Sequence, residues 1–134
     1  MATTANSVIT PQTVGNGIAT LTSPTAITSR ANITGTTGLV KLKDVTTNGT
    51  KIYEIRWKAK ETSTAGSLCL WRYDGTTSYL FDEMPIGGMT ASNTVASETG
   101  VKTYDNLALK SSEALYVSVT VVNDLSVFAQ ASDL

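Results

Sequence analysis

Apolar and polar residues alternate with a period of two along most of the chain. The clearest run is "KIYEIRWKAKE" (51–61), where Tyr53, Ile55, Trp57 and Ala59 share one side and Glu54, Arg56, Lys58 and Lys60 share the other. That period describes a strand with one buried and one wet face. Wound as a helix, Ile55, Trp57 and Ala59 would be scattered around the axis. "GLVKLKDV" alternates in the same way, with Leu39, Lys41 and Lys43 opposite Val40, Leu42 and Asp44. "EALYVSVTVV" predicts a strand that turns Leu115, Val117, Val119 and Val121 inward. "SLCLWRYDG" is apolar on both sides, with Leu68 and Leu70 against Cys69, Trp71 and Tyr73, the pattern of a central strand or a subunit contact. "IATLTS", "SYLFDEMPI" (stopped by Pro85) and "LSVFAQASDL" read as further strands, and "VKTYDNLAL" as a strand or an irregular edge.

Turn chemistry separates these runs. Asn48-Gly49 predicts a two-residue hairpin, because both residues tolerate positive φ. Asp74-Gly75 predicts a second hairpin, and Asn123-Asp124 a further turn. Residues 87–100, "GGMTASNTVASETG", form the longest turn-like stretch, of the kind that often serves as a contact loop. "PTAITSRANIT" reads as loop with one short strand. About eight strands at this spacing predict an all-β domain, a two-sheet antiparallel β-sandwich that is jelly-roll-like, with an immunoglobulin-like sandwich as the alternative. The Thr-rich start, "MATTANSVITPQTVGN" (1–16), reads as an extended N-terminal arm ahead of a single domain over 17–134.

Composition sharpens this picture in a few places. The chain has 134 residues, enough for one self-sufficient core. Charged residues are only 16%, and hydroxyls supply the remaining polarity. A net charge of −1 without a basic stripe argues against nucleic acid as a partner. Lys41, Lys43, Lys51, Arg56, Lys58 and Lys60 do cluster in sequence, either as solvated strand faces or as a patch meeting an acidic surface. The N-terminus has neither the basic nor the apolar region of a signal peptide. No apolar run approaches the about 18 residues of a membrane span. The single cysteine, Cys69, has no disulfide partner within the chain.

Reactive chemistry is sparse. The absence of histidine removes the usual nucleophilic triads and the commonest zinc ligand. No phosphate-binding glycine loop or EF-hand spacing occurs. Asp82 and Glu83 are neighbours on a strand and point to opposite faces, so they do not form a catalytic pair. The expectation is a non-enzyme with no cofactor, metal or small-molecule substrate. Aromatic residues lie on strand-like runs and divide among core positions, a flat protein contact and a carbohydrate platform.

The segment "TNGTKIYEIRWKAKETSTAGSLCLWRYDGTTSYLFDEMPI" (47–86) resembles small β-rich proteins of tailed bacteriophages: an Asn-Gly turn, an Ile-x-x-Ile-Arg-x-Lys-Ala strand, a Thr-Ala-Gly turn, then Tyr-Asp-Gly and Asp-Glu-x-Pro. The ending "EALYVSVTVVNDLSVFAQASDL" is similar to that of the same proteins. The likeness covers about half the chain, and Trp57, Cys69 and Trp71 depart from it. It implies a virion structural component, a capsid decoration or cement protein on the outer shell. Its implied partners are the major capsid protein and itself, as a homotrimer, with no membrane partner. Another virion role (head-fibre base, head–tail adaptor or tail protein) and a carbohydrate-binding module are the alternatives. The expected partner contacts are Val8, Ile9, Pro11 and Val14 in the arm, Arg30 in the 23–37 loop, and Met89 in the 87–100 loop.

Overall fold

A computed structural model describes residues 13–134. These form ten strands: β1 (Thr13–Val14), β2 (Gly17–Leu21), β3 (Ile33–Thr34), β4 (Val40–Asp44), β5 (Thr50–Ala59), β6 (Gly66–Tyr73), β7 (Thr77–Ile86), β8 (Thr99–Leu109), β9 (Ala114–Val119) and β10 (Leu125–Asp133). Sheet A runs β1–β10–β5–β8, with β2 also paired to β10. Sheet B runs β3–β7–β6–β9–β4. All named strand pairs are antiparallel. β2 lies near β4 at one side of the sandwich and β7 near β8 at the other. The eight longer strands therefore stack as β2–β10–β5–β8 over β4–β9–β6–β7, a jelly roll in which chain neighbours alternate between sheets except at the β6–β7 hairpin.

The core between the sheets follows the alternation. Ile52, Ile55, Trp57 and Ala59 of β5 meet Leu68 and Leu70 of β6, with Leu115, Val117 and Val119 of β9 and Leu125, Val127 and Ala129 of β10 in the same cluster. One expectation is corrected on β5. Tyr53 does not share the buried side of Ile55 and Trp57; it is 40% exposed and Ile52 is buried in its place. Against β10, β5 carries one extra residue between Ile52 and Glu54, opposite Gln130 and Ala131, and an added residue reverses the parity of the alternation; against β8 the register shifts at the same point, with the extra residues on β8.

Three further expectations are corrected. Asn48-Gly49 does not close a hairpin: β4 belongs to sheet B and β5 to sheet A, so the turn carries the chain between sheets. Only Gly49 takes a positive φ, 96°, and its N–H donates to Thr46 O at 3.0 Å. β7 continues through Pro85 to Ile86. Beyond the short β3 pairing at Thr77 and Ser78, β7 is a sheet edge, where proline is tolerated. Val121 lies past the end of β9 and is exposed rather than inward.

Sheet B has a second buried layer. Cys69 and Trp71 point away from the inter-sheet core, yet they are only 2% and 0% exposed. The chain between β2 and β4 covers them. It bonds to one side of the sheet at Val119, where Ile27 N–H donates at 2.8 Å, and pairs as β3 with β7 at the other. Arg30 holds the cover down by donating from Nε and Nη2 to both Glu83 carboxylate oxygens, each at 2.8 Å. Beneath it, Trp71 Nε1 donates to Ser118 Oγ at 2.8 Å.

Candidate functional site

Strand ends place the connecting loops at two poles. The β5–β6, β7–β8 and β9–β10 connections (60–65, 87–98 and 120–124) lie together at one pole. Ser63 and Met89 exchange backbone hydrogen bonds at 2.8 and 3.0 Å, and Asn123 accepts from Thr64 N–H at 2.8 Å and donates to Thr64 O at 2.9 Å. The 87–98 loop is thus stapled to its neighbours. Met89, Val95, Val121 and Val122 nevertheless present exposed aliphatic side chains there. Between them run shallow clefts lined by Lys60, Glu61, Thr62 and Asn123.

The opposite pole holds the C-terminal end and the first described residues. Val14 pairs with Ser132 and Thr13 with Asp133, so residues 13–16 of the expected arm lie along β10. Asp133 accepts from Thr50 Oγ1 at 2.8 Å and pairs with Lys43 at 3.2 Å, joining β10, β5 and β4. Arg72 clasps Glu113 through Nε and Nη2 at 2.7 and 2.9 Å and also donates to Ala108 O. This guanidinium holds the Glu113 carboxyl below its ordinary range.

The expected contact residues do not converge. Val8, Ile9 and Pro11 lie outside the described residues. Val14 is exposed near the C-terminal end, Met89 is at the loop pole, and Arg30 is committed to Glu83 on the outside of sheet B. Asp82 and Glu83 face different partners. Burial pushes Asp82 up, but donors from Lys102 and Tyr104, each at 2.7 Å, outweigh it and hold its carboxylate low. Those bonds latch β7 to β8 across the sheets. Among the described residues no three His, Cys, Asp or Glu side chains are grouped to hold a metal ion, and no helix is long and apolar enough to cross a membrane.

The outer face of sheet A carries residues that the pattern alone did not single out. In register across four strands stand Ile18, Phe128, Arg56 and Val101, all turned away from the core. Ile18 is 66% and Val101 52% exposed. Thr20, Ser126, Lys58 and Thr99 form the adjacent row, and Val14, Ser132, Lys51 and Ala108 another. Ile18 and Phe128 fall on the outward positions of their own alternations, but only the strand pairing reveals that they align.

No family model matches the chain, and no curated protein matches it significantly. Among solved structures it is similar to Eiger TNF from S. frugiperda, with a TM-score of 0.47 at 14% identity, over 93% of this chain and 94% of that one.

Proposed function

We propose that the chain is a bacteriophage virion structural protein, a capsid decoration or cement protein that binds the outer face of the assembled shell. The observation that carries the reading is the loop pole: four exposed aliphatic side chains, Met89, Val95, Val121 and Val122, on loops stapled to one another. Rigid loops lose little entropy on docking, and clustered aliphatics suit burial against a protein surface. The partner is the major capsid protein, and the chain acts as a homotrimer. Small contacts repeated around a symmetric oligomer reinforce one another through effective concentration. A ligand that recognises only the assembled shell stabilises that shell by mass action.

A carbohydrate-binding role is less well supported. Both tryptophans are buried, and the exposed tyrosines, Tyr53 and Tyr79, lie on different sheets. The test is quantitative mass spectrometry and electron cryomicroscopy of purified particles of the phage encoding the chain. The reading expects a copy number that scales with capsid subunits and density on the outer shell, both lost with Val95→Asp and Val122→Asp. A copy number matching a single portal or tail ring would favour the other virion roles, and absence from the particles would overturn the reading.

A further inference from the structure

We infer that the open outer face of sheet A is the surface on which a second copy of this chain packs. The inference deepens the self-association half of the reading above and leaves the shell-binding half to stand or fall alone. The face is four strands wide and about nine residues long. At ~4.8 Å between strands and ~3.3 Å per residue it projects roughly 500 Å². Side-chain relief brings that towards the ~800 Å² per partner of a standard interface. Apolar side chains stand on its flanking strands, Ile18 and Val14 (74% exposed) on one side and Val101 on the other, with Phe128 and Arg56 in the row between Ile18 and Val101.

Charge selects the occupant. Among the described residues, Lys51, Lys58 and Lys60 on or beside β5 have no carboxylate partner; Lys58 is bonded to Ser97 Oγ and Lys60 to Thr22 Oγ1. Arg56 is paired only with Glu54 of its own strand. Two exposed carboxylates have no cationic partner among the described residues: Asp105 on β8, the edge strand of this face, and Glu61 just past β5, beside the loop-pole cleft. Two such faces laid flat on each other would oppose cation to cation. A head-to-tail arrangement instead sets the β8 border of one copy, with Val101 and Asp105, over the β10–β5 centre of the next. Val101 then meets Phe128, and Asp105 meets the lysines of β5. Repeated by rotation, a heterologous contact of this kind closes into a ring.

The test is light scattering on the purified full chain without particles, with circular dichroism to confirm folding. The wild type should return a whole multiple of 14.1 kDa. Ile18→Glu with Val101→Lys should weaken self-association by about 100-fold, as expected for two buried aliphatic anchors. Lys51→Glu with Lys58→Glu, and separately Glu61→Lys with Asp105→Lys, should each give monomers, and a chain carrying all four changes should assemble again. A monomeric wild type, an Ile18/Val101 variant of unchanged mass, or a four-fold variant that stays monomeric would each overturn the inference. A monomeric wild type whose Ile18/Val101 variant no longer binds particles would reassign the face to the shell. Failure of wild-type rings to bind particles would sink only the shell-binding half.

Discussion

The outer faces of the two sheets start from similar strands and end in opposite states. On sheet B the outward residues Cys69 and Trp71 are large or apolar and lie sealed beneath the chain between β2 and β4. On sheet A the outward row mixes Ile18, Phe128 and Val101 with Arg56, and no segment among the described residues crosses it. The difference shows that apolar outward positions become core only where a connection is long enough to return across them. The β2–β4 connection returns across sheet B; no connection among the described residues returns across sheet A. Burial on the first face is intramolecular and independent of concentration. On the second, burial awaits a partner.

The most severe way to break this comparison is to hollow the covered layer. Trp71→Ala should cost about 3–5 kcal/mol, the range for deleting a fully buried aromatic. Ile18→Thr on the open face should change the unfolding free energy of the monomer by under about 0.5 kcal/mol. Urea unfolding at low protein concentration measures both. Equal costs would mean that the two faces are not buried differently at all. The smaller change Ser118→Ala keeps the cover but removes the acceptor of Trp71 Nε1. A buried indole N–H left without a partner costs about 1–3 kcal/mol, so a loss well below that would show that the layer is wet.

How much of this was legible in the sequence depends on what each residue's position is set by. Alternation in 51–61 predicted a strand with Ile55, Trp57 and Ala59 inside, and they are inside. It failed at Tyr53, because a bulge reverses parity without any breaker residue to announce it. The two-sided apolarity of "SLCLWRYDG" predicted a central strand, and β6 does lie between β7 and β9 with both faces covered. What covers Trp71 could not be read, since "PTAITSRANIT" has no period and its path is set by bonds to Val119, Ser78 and Glu83 far along the chain. Asn48-Gly49 illustrates the same limit: the turn signal was sound, yet which sheet receives each flanking strand is a global property. The open row on sheet A is equally non-local, because its four members come from four strands.

The mildest perturbation tests whether the cover is a lid or part of the fold. Arg30 and Glu83 are both partly exposed, so solvent screening leaves their pair little weight in global stability. Arg30→Gln should therefore leave global unfolding nearly unchanged. Burial holds the Cys69 thiol above its ordinary value, and in the native state it should react slowly with a thiol reagent. If the cover lifts on its own, Arg30→Gln should speed that labelling. Labelling that tracks global unfolding in both proteins would make the cover inseparable from the sandwich. Acid offers a second approach. The Arg30 hydrogen bonds hold Glu83 below its ordinary 4.5, so the folded state binds fewer protons at this site than the unfolded chain near that pH. The pair's contribution is whole above 4.5 and is lost as pH falls through the lower folded value. Near-ultraviolet circular dichroism of Trp71 should follow that loss. Arg30→Gln removes the cause of the depression and with it the pH-linked contribution, so this acid phase should be absent from the variant, while Asp82, latched to Lys102 and Tyr104, is left as it was. An acid phase unchanged by Arg30→Gln would assign the acid response to the β7–β8 latch and leave the cover held by apolar burial alone.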